Sequence, residues 1–274
     1  MPELPEVETI AKILREGGPG MASILGREIT GAQLFWERTL AIPSFPEFRQ
    51  RVTGQVVQKV GRRGKFLLLS LANDTILFHL RMSGDLLVEP GSAPLNPHVR
   101  LFLDLSGNLR LAFNDARKFG RVWLLNEPED VLAALGPEPF DPGFTPEELH
   151  RRLVTRRRQL KPLLLDQTFI AGLGNIYADE ALYLAKLHPN TLSHTLSIEQ
   201  TTRLWSSIRQ VLSEGIQRQG ATIDWVYRGG DFQNYFRVYQ RTGEPCLECQ
   251  TPIVRIVIGQ RSTHFCPFCQ PQPE

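Results

Sequence analysis

The sequence predicts an α+β protein of several domains: an N-terminal β-sandwich with flanking helices, then a helical domain, then a small metal-bearing hairpin. Three observations carry that prediction. Short β-forming runs punctuated by Gly, Asn, Asp and Ser fill the stretch from Arg27 to Leu125. A segment dense in Pro and Gly, Gly136 to Phe144, is followed by helix-start signals. The 4 Cys of the chain all fall in two C-x-x-C pairs near its end. A length of 274 residues also exceeds what one small core needs, so two or three domains are expected.

Taken in order, Pro5 to Arg15 has Val7, Ile10, Ala11 and Leu14 on one helical face, a stripe suited to docking on a sheet. Strands are expected at 56–60, 65–71, 75–80, 99–105, 109–113 and 122–125. Ala72-Asn73-Asp74 and Ser106-Gly107-Asn108 serve as hairpin turns. Short strands at this spacing suggest a sandwich or barrel. Beyond the Pro/Gly segment, Thr145-Pro146-Glu147-Glu148 offers an N-cap hydroxyl, a Pro at the first helical position and an acid in the first turn. Ile176 to Leu187 reads as a helix stopped by His188-Pro189. Ser197-Ile198-Glu199-Gln200 is a capping box that opens a long helix to about Gln219. The expected domains are 1–135, a linker at 136–146, 147–235 and 236–274.

Composition excludes several classes. The chain is 42% hydrophobic and 22% charged, as globular proteins are. No apolar run approaches the ~20 residues that cross a bilayer. Met1-Pro2-Glu3-Leu4-Pro5-Glu6 is acidic where secretory signals are basic, so a cytoplasmic location and no membrane partner are expected. Net charge is only +2, yet 25 of the 31 basic residues are Arg, whose forked donors suit phosphate. They cluster at Arg62-Arg63-Gly64-Lys65, at Arg117-Lys118, and at Arg151-Arg152 with Arg156-Arg157-Arg158 and Lys161. Such clusters are either solvated helix faces or a positive face for an anionic polymer.

Cys246-Leu247-Glu248-Cys249 and Cys266-Pro267-Phe268-Cys269 are two knuckles with the spacing of a tetrahedral Zn²⁺ site. Four thiolates leave no open position, so one structural zinc is expected, with Cys246, Cys249, Cys266 and Cys269 as its ligands. Two strands, 253–258 and 260–265, would form the hairpin between the knuckles, with Arg261 at its turn in reach of a phosphate. Gly172-Leu173-Gly174-Asn175-Ile176-Tyr177 places two glycines directly before a helix. That is either an anion-binding helix start or a tight helix–helix turn. At the other end, removal of Met1 would expose the secondary amine of Pro2 at the mouth of a helix, beside Glu3 and Glu6.

Together, the Pro2-Glu3-Leu4-Pro5-Glu6-Val7-Glu8-Thr9 start, the Gly172 to Tyr177 run and the four-Cys ribbon resemble bacterial formamidopyrimidine-DNA glycosylases, in that family's order and across essentially the whole chain. The resemblance implies a β-sandwich, a helix–two-turns–helix (H2TH) domain and a zinc finger that bind damaged double-stranded DNA; because lesions are asymmetric, a monomer is the simpler expectation. It implies base-excision repair by one bifunctional site, a glycosylase and an abasic-site lyase. Pro2 would attack C1′ of the damaged nucleoside, Glu3 would protonate the opened sugar oxygen, Glu6 would orient the site, and Lys65 and Arg261 would hold phosphate. Met82, Arg117 and Phe119 would fill the gap left by the extruded base. His98, Asn175, Lys118 and Tyr177 would contact DNA.

The stretch 221–233 looks shorter and more aromatic than the family's lesion-capping loop, which suggests a preference weighted to ring-opened purines over 8-oxoguanine. The alternatives are a sibling endonuclease VIII-type glycosylase for oxidised pyrimidines, or a non-catalytic DNA-damage-binding zinc protein. Leu4 favours the purine branch, because the siblings typically carry Gly there.

Overall fold

The structure, a computed structural model, describes residues 1–222 and 229–272. The chain divides into two compact units, one built on Met1–Ala133 and the other on Ala134–Ala221 with the chain from Asp231. In the first unit, α1 (Leu4–Glu16) is followed by β1 (Ile29–Leu34), β2 (Leu40–Ile42), α2 (Phe45–Val52), β3 (Lys59–Arg63), β4 (Phe66–Ser70) and β5 (Thr75–His79). After these come β6 (Gly84–Pro90), β7 (Val99–Leu105), β8 (Leu109–Asp115), β9 (Arg121–Leu125) and the short α3 (Glu129–Leu132). The strands form a five-stranded sheet ordered β2-β9-β5-β4-β3 and a four-stranded sheet ordered β1-β7-β8-β6.

One core lies between the sheets. Leu67, Leu69, Ile76, Phe78, Val122 and Leu124 from the first meet Leu86, Val88, Leu101, Leu103, Leu111 and Phe113 from the second. Phe78 and Phe113 touch edge to face at 5.7 Å. The expected stripe Val7, Ile10, Ala11 and Leu14 of α1 is buried in the same core. Arg62 Nε to Glu8 Oε2 at 2.9 Å and Arg15 Nη1 to the Val60 carbonyl at 3.3 Å tie α1 to β3.

The strand expected at 56–60 lies three residues later. Val56 makes only an isolated bridge to Glu28, whereas Arg62 and Arg63 pair with Leu67 and Phe66. The cationic pair had marked a surface cluster, but in β3 its backbone completes a hairpin. Gly64, at φ 55°, supplies the tight turn.

In the second unit, α4 (Pro146–Val154) and α5 (Leu160–Leu165) precede α6 (Asn175–Leu184) and α7 (Ile198–Gln217), and β10 (Val254–Ile258) with β11 (Arg261–Phe265) makes the hairpin. The expected caps are present: Thr145 accepts from the Glu148 N–H at 3.3 Å, and Ser197 with Gln200 forms the capping box of α7. α6 stops three residues short of the expected Leu187. Lys186 takes a left-handed φ of 57° and the Leu187 N–H returns to the Leu182 carbonyl at 3.0 Å, so the backbone closes the helix before His188-Pro189 is reached. No helix among the described residues is long and apolar enough to cross a membrane.

Candidate functional site

The amino terminus gathers two carboxylates at the start of α1. Glu3, in extended backbone, is the N-cap; its side chain accepts from the Glu6 N–H, and Glu6 Oε2 accepts from the Glu3 N–H at 2.7 Å. Both are almost wholly buried, 3% and 2% exposed. Pro2 is buried beside them and Met1 is half exposed. In the encoded chain the Pro2 nitrogen is an amide, so trimming of Met1 is what would release its amine.

Lys65 sits in the turn between β3 and β4 rather than on a solvated strand edge, and is only 4% exposed. It lies near His79, a residue that the sequence reading passed over. Burial, with the charges of Arg81 and Lys65, pushes the His79 imidazole down to about 3. The ring is therefore neutral, with Nδ1 accepting from the Arg81 N–H at 3.1 Å and Nε2 left as the donor. The available signal was its place three residues before Met82 in one run.

Met82, His98, Arg117, Lys118 and Phe119 are all exposed on loops of the sandwich unit. Met82 at 39% and Phe119 at 48% are not core residues, although apolar side chains usually are. The Arg117 guanidinium stands 5.3 Å over the Phe119 ring, and the Lys118 ammonium 4.1 Å over Trp36.

In the second unit, Asn175 is the first residue of α6, after Gly172 at φ 92°. Its Nδ2 donates to the Ser262 carbonyl at 3.0 Å, which places it beside Arg261, exposed at the start of β11. A buried ionic network stands behind this junction. Lys161, wholly buried, pairs with Asp179 and donates to the Asn175 carbonyl at 3.0 Å. Asp179 Oδ2 accepts from the His264 N–H at 3.1 Å and lies 3.2 Å from His264 Nδ1.

Lys161 therefore leaves the basic surface cluster expected from the sequence. A carboxylate 18 residues away, on α6, is what permits its burial. Arg152 and Arg158 are likewise paired, with Glu148 and Asp166. Tyr177 is wholly buried and its ring stacks on Phe232 at 5.2 Å, so the ring belongs to the core rather than to an exposed face.

The four cysteine Sγ atoms lie within 4.8 Å of one another. Cys249 and Cys266 are 3.4 Å apart and Cys246 and Cys269 3.9 Å, far from a disulfide but close to the ~3.8 Å edge of a tetrahedron with ~2.3 Å Zn–S bonds. Cys246 and Cys266 pack with Tyr183, Val238 and Ile253 in one small core. This is a site for one structural zinc ion, and it roots the hairpin bearing Arg261. The centre of the expected capping loop, residues 223–228, lies outside the described residues, and with it the basis for a lesion preference.

A sandwich, a helical module and a four-cysteine ribbon in this order define the class of zinc-containing DNA glycosylases of base-excision repair. Three family models match in succession: the formamidopyrimidine-DNA glycosylase N-terminal domain over residues 1–122, its H2TH domain over 135–226, and the zinc finger found in FPG and IleRS over 243–272. The formamidopyrimidine-DNA glycosylase of Chloroflexus aggregans is 50% identical over 278 residues, covering 98% of each chain. That of Chloroflexus aurantiacus is also 50% identical, over 287 residues and all of both chains.

Among solved structures, a MutM in complex with DNA containing carbocyclic 8-oxo-G superposes with a TM-score of 0.91 at 35% identity, over 99% of this chain and 100% of that one. The Lactococcus lactis FPG (MutM) in complex with FAPY-dG DNA gives 0.90 at 34%, over 98% and 100%. The chain belongs to the formamidopyrimidine-DNA glycosylase family.

Proposed function

We propose that this glycosylase removes oxidised purines, formamidopyrimidines and 8-oxoguanine, from duplex DNA and then cleaves the strand at the abasic product, with trimmed Pro2 as nucleophile. The observation that carries the reading is the pair of buried carboxylates, Glu3 and Glu6, locked reciprocally at the helix start that Pro2 enters.

The neutral Pro2 nitrogen attacks C1′; the C1′–N bond to the base breaks, and the base leaves with the proton that the newly bonded amine gives up. Glu3, as acid, protonates O4′ and the sugar ring opens to an iminium. A secondary amine suits this step, because its iminium holds a fixed positive charge that acidifies the C2′ proton. Glu3, left as a carboxylate by that transfer, takes the proton as the 3′ phosphate leaves, and a further elimination expels the 5′ phosphate. Glu6 holds Glu3 in register through the Glu3 N–H. The positive end of α1 favours the unprotonated amine, and the two carboxylates oppose it.

Phosphate is assigned to Lys65, Asn175 and Arg261, with His98 and Lys118 as further contacts on the sandwich unit. His79 is added as a neutral Nε2–H donor. Exposed Met82, Arg117 and Phe119 are assigned to the vacated base position. Methionine and phenylalanine replace lost stacking, and the guanidinium bonds the orphaned partner base. Exposure of two large apolar side chains on adjoining loops supports this part.

Pro2→Gly tests the reading. Lesion excision should fall to background in single-turnover assays while affinity for the lesion duplex is kept. Excision at the parental rate would overturn the nucleophile assignment.

A further inference from the structure

Three loops of the sandwich unit meet at one residue that the mechanism does not use, two of them at its carboxylate and one at its backbone. Asp115, the last residue of β8, is wholly buried. Its Oδ1 accepts from the Ser83 hydroxyl and from the Arg117 N–H at 3.2 Å, and its Oδ2 accepts from the Gly120 N–H at 2.6 Å. Ser83 Oγ in turn accepts from the Arg117 N–H at 3.1 Å. The Asp115 N–H donates to the His98 carbonyl at 2.8 Å, and its own carbonyl accepts from Arg100 Nε at 2.7 Å. The loop bearing Met82, the loop bearing Arg117 and Phe119, and the end of the loop bearing His98 are thus fastened to a single residue.

Sterics add to the fastening. A Cβ on Gly84 would lie 2.5 Å from the Leu80 carbonyl oxygen and 2.9 Å from the Phe113 ring. One on Gly120 would lie 2.4 Å from the same ring and 3.1 Å from Asp115 Oδ2. Both loops therefore pass close to Phe113, where a larger residue at either glycine would clash. Each also carries a left-handed residue with a side chain, Arg81 at φ 54° and Lys118 at φ 60°, immediately before its exposed apolar residue. Such backbone persists only where its surroundings hold it.

A side chain that replaces a base in the stack must hold its place against the returning base, and two side chains on separately mobile loops would have to be ordered one at a time. We propose that Asp115, through Ser83, is a positioning residue that clamps the Met82 and Arg117–Phe119 loops into one preformed wedge, entering the helix as a unit when the lesion leaves. The inference rests on the wedge assignment made above.

Ser83→Ala removes the bridge and keeps the bonds of Asp115 to Arg117 and Gly120. It is compared with Asp115→Asn, the double variant, Met82→Ala and the parent, all with Met1 removed and zinc bound. Three rates are read: excision of a lesion opposite cytosine in a paired duplex, scission at a preformed abasic site in the same duplex, and excision of the lesion from an unpaired bulge.

Loss of a hydrogen bond to a charged group should slow paired-duplex excision by Ser83→Ala about tenfold or more. Abasic scission, which has no base to extrude, should stay near the parental rate, and the bulge should restore excision. The double variant should fall short of the summed losses of Ser83→Ala and Asp115→Asn, because both act on one bridge. Unchanged duplex excision by Ser83→Ala, or equal loss of excision and scission, would overturn the clamp. A silent Met82→Ala would remove the wedge assignment and the clamp with it. A parent inert on all three substrates would instead sink the proposed function itself.

Discussion

Replacing Asp179 by Asn tests the buried network that joins α6 to the zinc hairpin. Lys161 and Asp179 are each at most 1% exposed, so the pair has no solvent to fall back on. Asp179→Asn keeps the volume and one acceptor but removes the charge that Lys161 is paired with, and it disturbs both bonds to His264 at 3.1 and 3.2 Å. Breaking a buried pair from one side typically costs about 3–5 kcal/mol, because the remaining charge loses its compensation. At about 2–4 °C of melting temperature per kcal/mol, the loss amounts to roughly 10 °C.

Urea or thermal unfolding of the zinc-loaded protein reads this directly. The double variant Lys161→Met, Asp179→Leu should recover most of that stability, since apolar replacement of a whole buried pair is often close to neutral. It should still bind duplex DNA more weakly, because the Asn175 carbonyl and the His264 backbone then lose their shared polar network and only the Asn175–Ser262 bond joins α6 to β11 there. A loss below about 1 kcal/mol for Asp179→Asn would refute the buried-charge reasoning. Full DNA affinity in the double variant would refute the link to phosphate binding.

Further outcomes follow from other parts of the structure. Cys249→Ser should release the zinc, worth roughly 10 kcal/mol or more of folding free energy, and weaken DNA binding by unfolding the hairpin that presents Arg261; undiminished affinity at matched salt would contradict it. Arg261→Ala, with zinc retained, should lower the slope of log affinity against log salt by about 1, and an unchanged slope would remove Arg261 from the phosphate contacts. Burial raises the Asp85 carboxyl to about 6, so the folded protein takes up a proton as pH falls below 6 that the unfolded chain does not. Stability from this group is therefore lost as pH rises through 6. Asp85→Asn should stabilise at pH 7.5 by about 1–3 kcal/mol, with the gain shrinking towards pH 4.5; an equal gain at both pH values would exclude titration as its cause.

Much of this organisation is legible in the sequence, for local reasons. The two knuckles, the Thr145 and Ser197 caps and the α1 stripe are each written within a few residues, and the structure forms all of them. β7 matches its expected span, Val99–Leu105, because its apolar run is bounded by turn residues on both sides. β6 was not foreseen. It begins at Gly84 and ends at Pro90, with Asp85 and Glu89 on one face hiding the alternation of Leu86 and Val88 on the other.

β1 was missed for a related reason: the register shifts between Ile29 and Gly31, which breaks the period of two. At the candidate site, Pro2 with Glu3, and the two members of each Cys knuckle, lie within a few residues of one another and could be read locally. Asp115, His79 and the Lys161–Asp179–His264 network could not, since each takes its meaning from partners on other elements. An aspartate at the end of a strand looks like a turn residue until Ser83 and Gly120 are seen to bond it.

Borohydride reduction during turnover tests the nucleophile most directly. Protein shown by mass measurement to begin at Pro2, zinc-loaded and mixed with lesion duplex, should become covalently fixed to the DNA through its first residue, while material retaining Met1 should not. Absence of any reducible adduct or strand scission from the correctly trimmed protein would contradict covalent catalysis by Pro2.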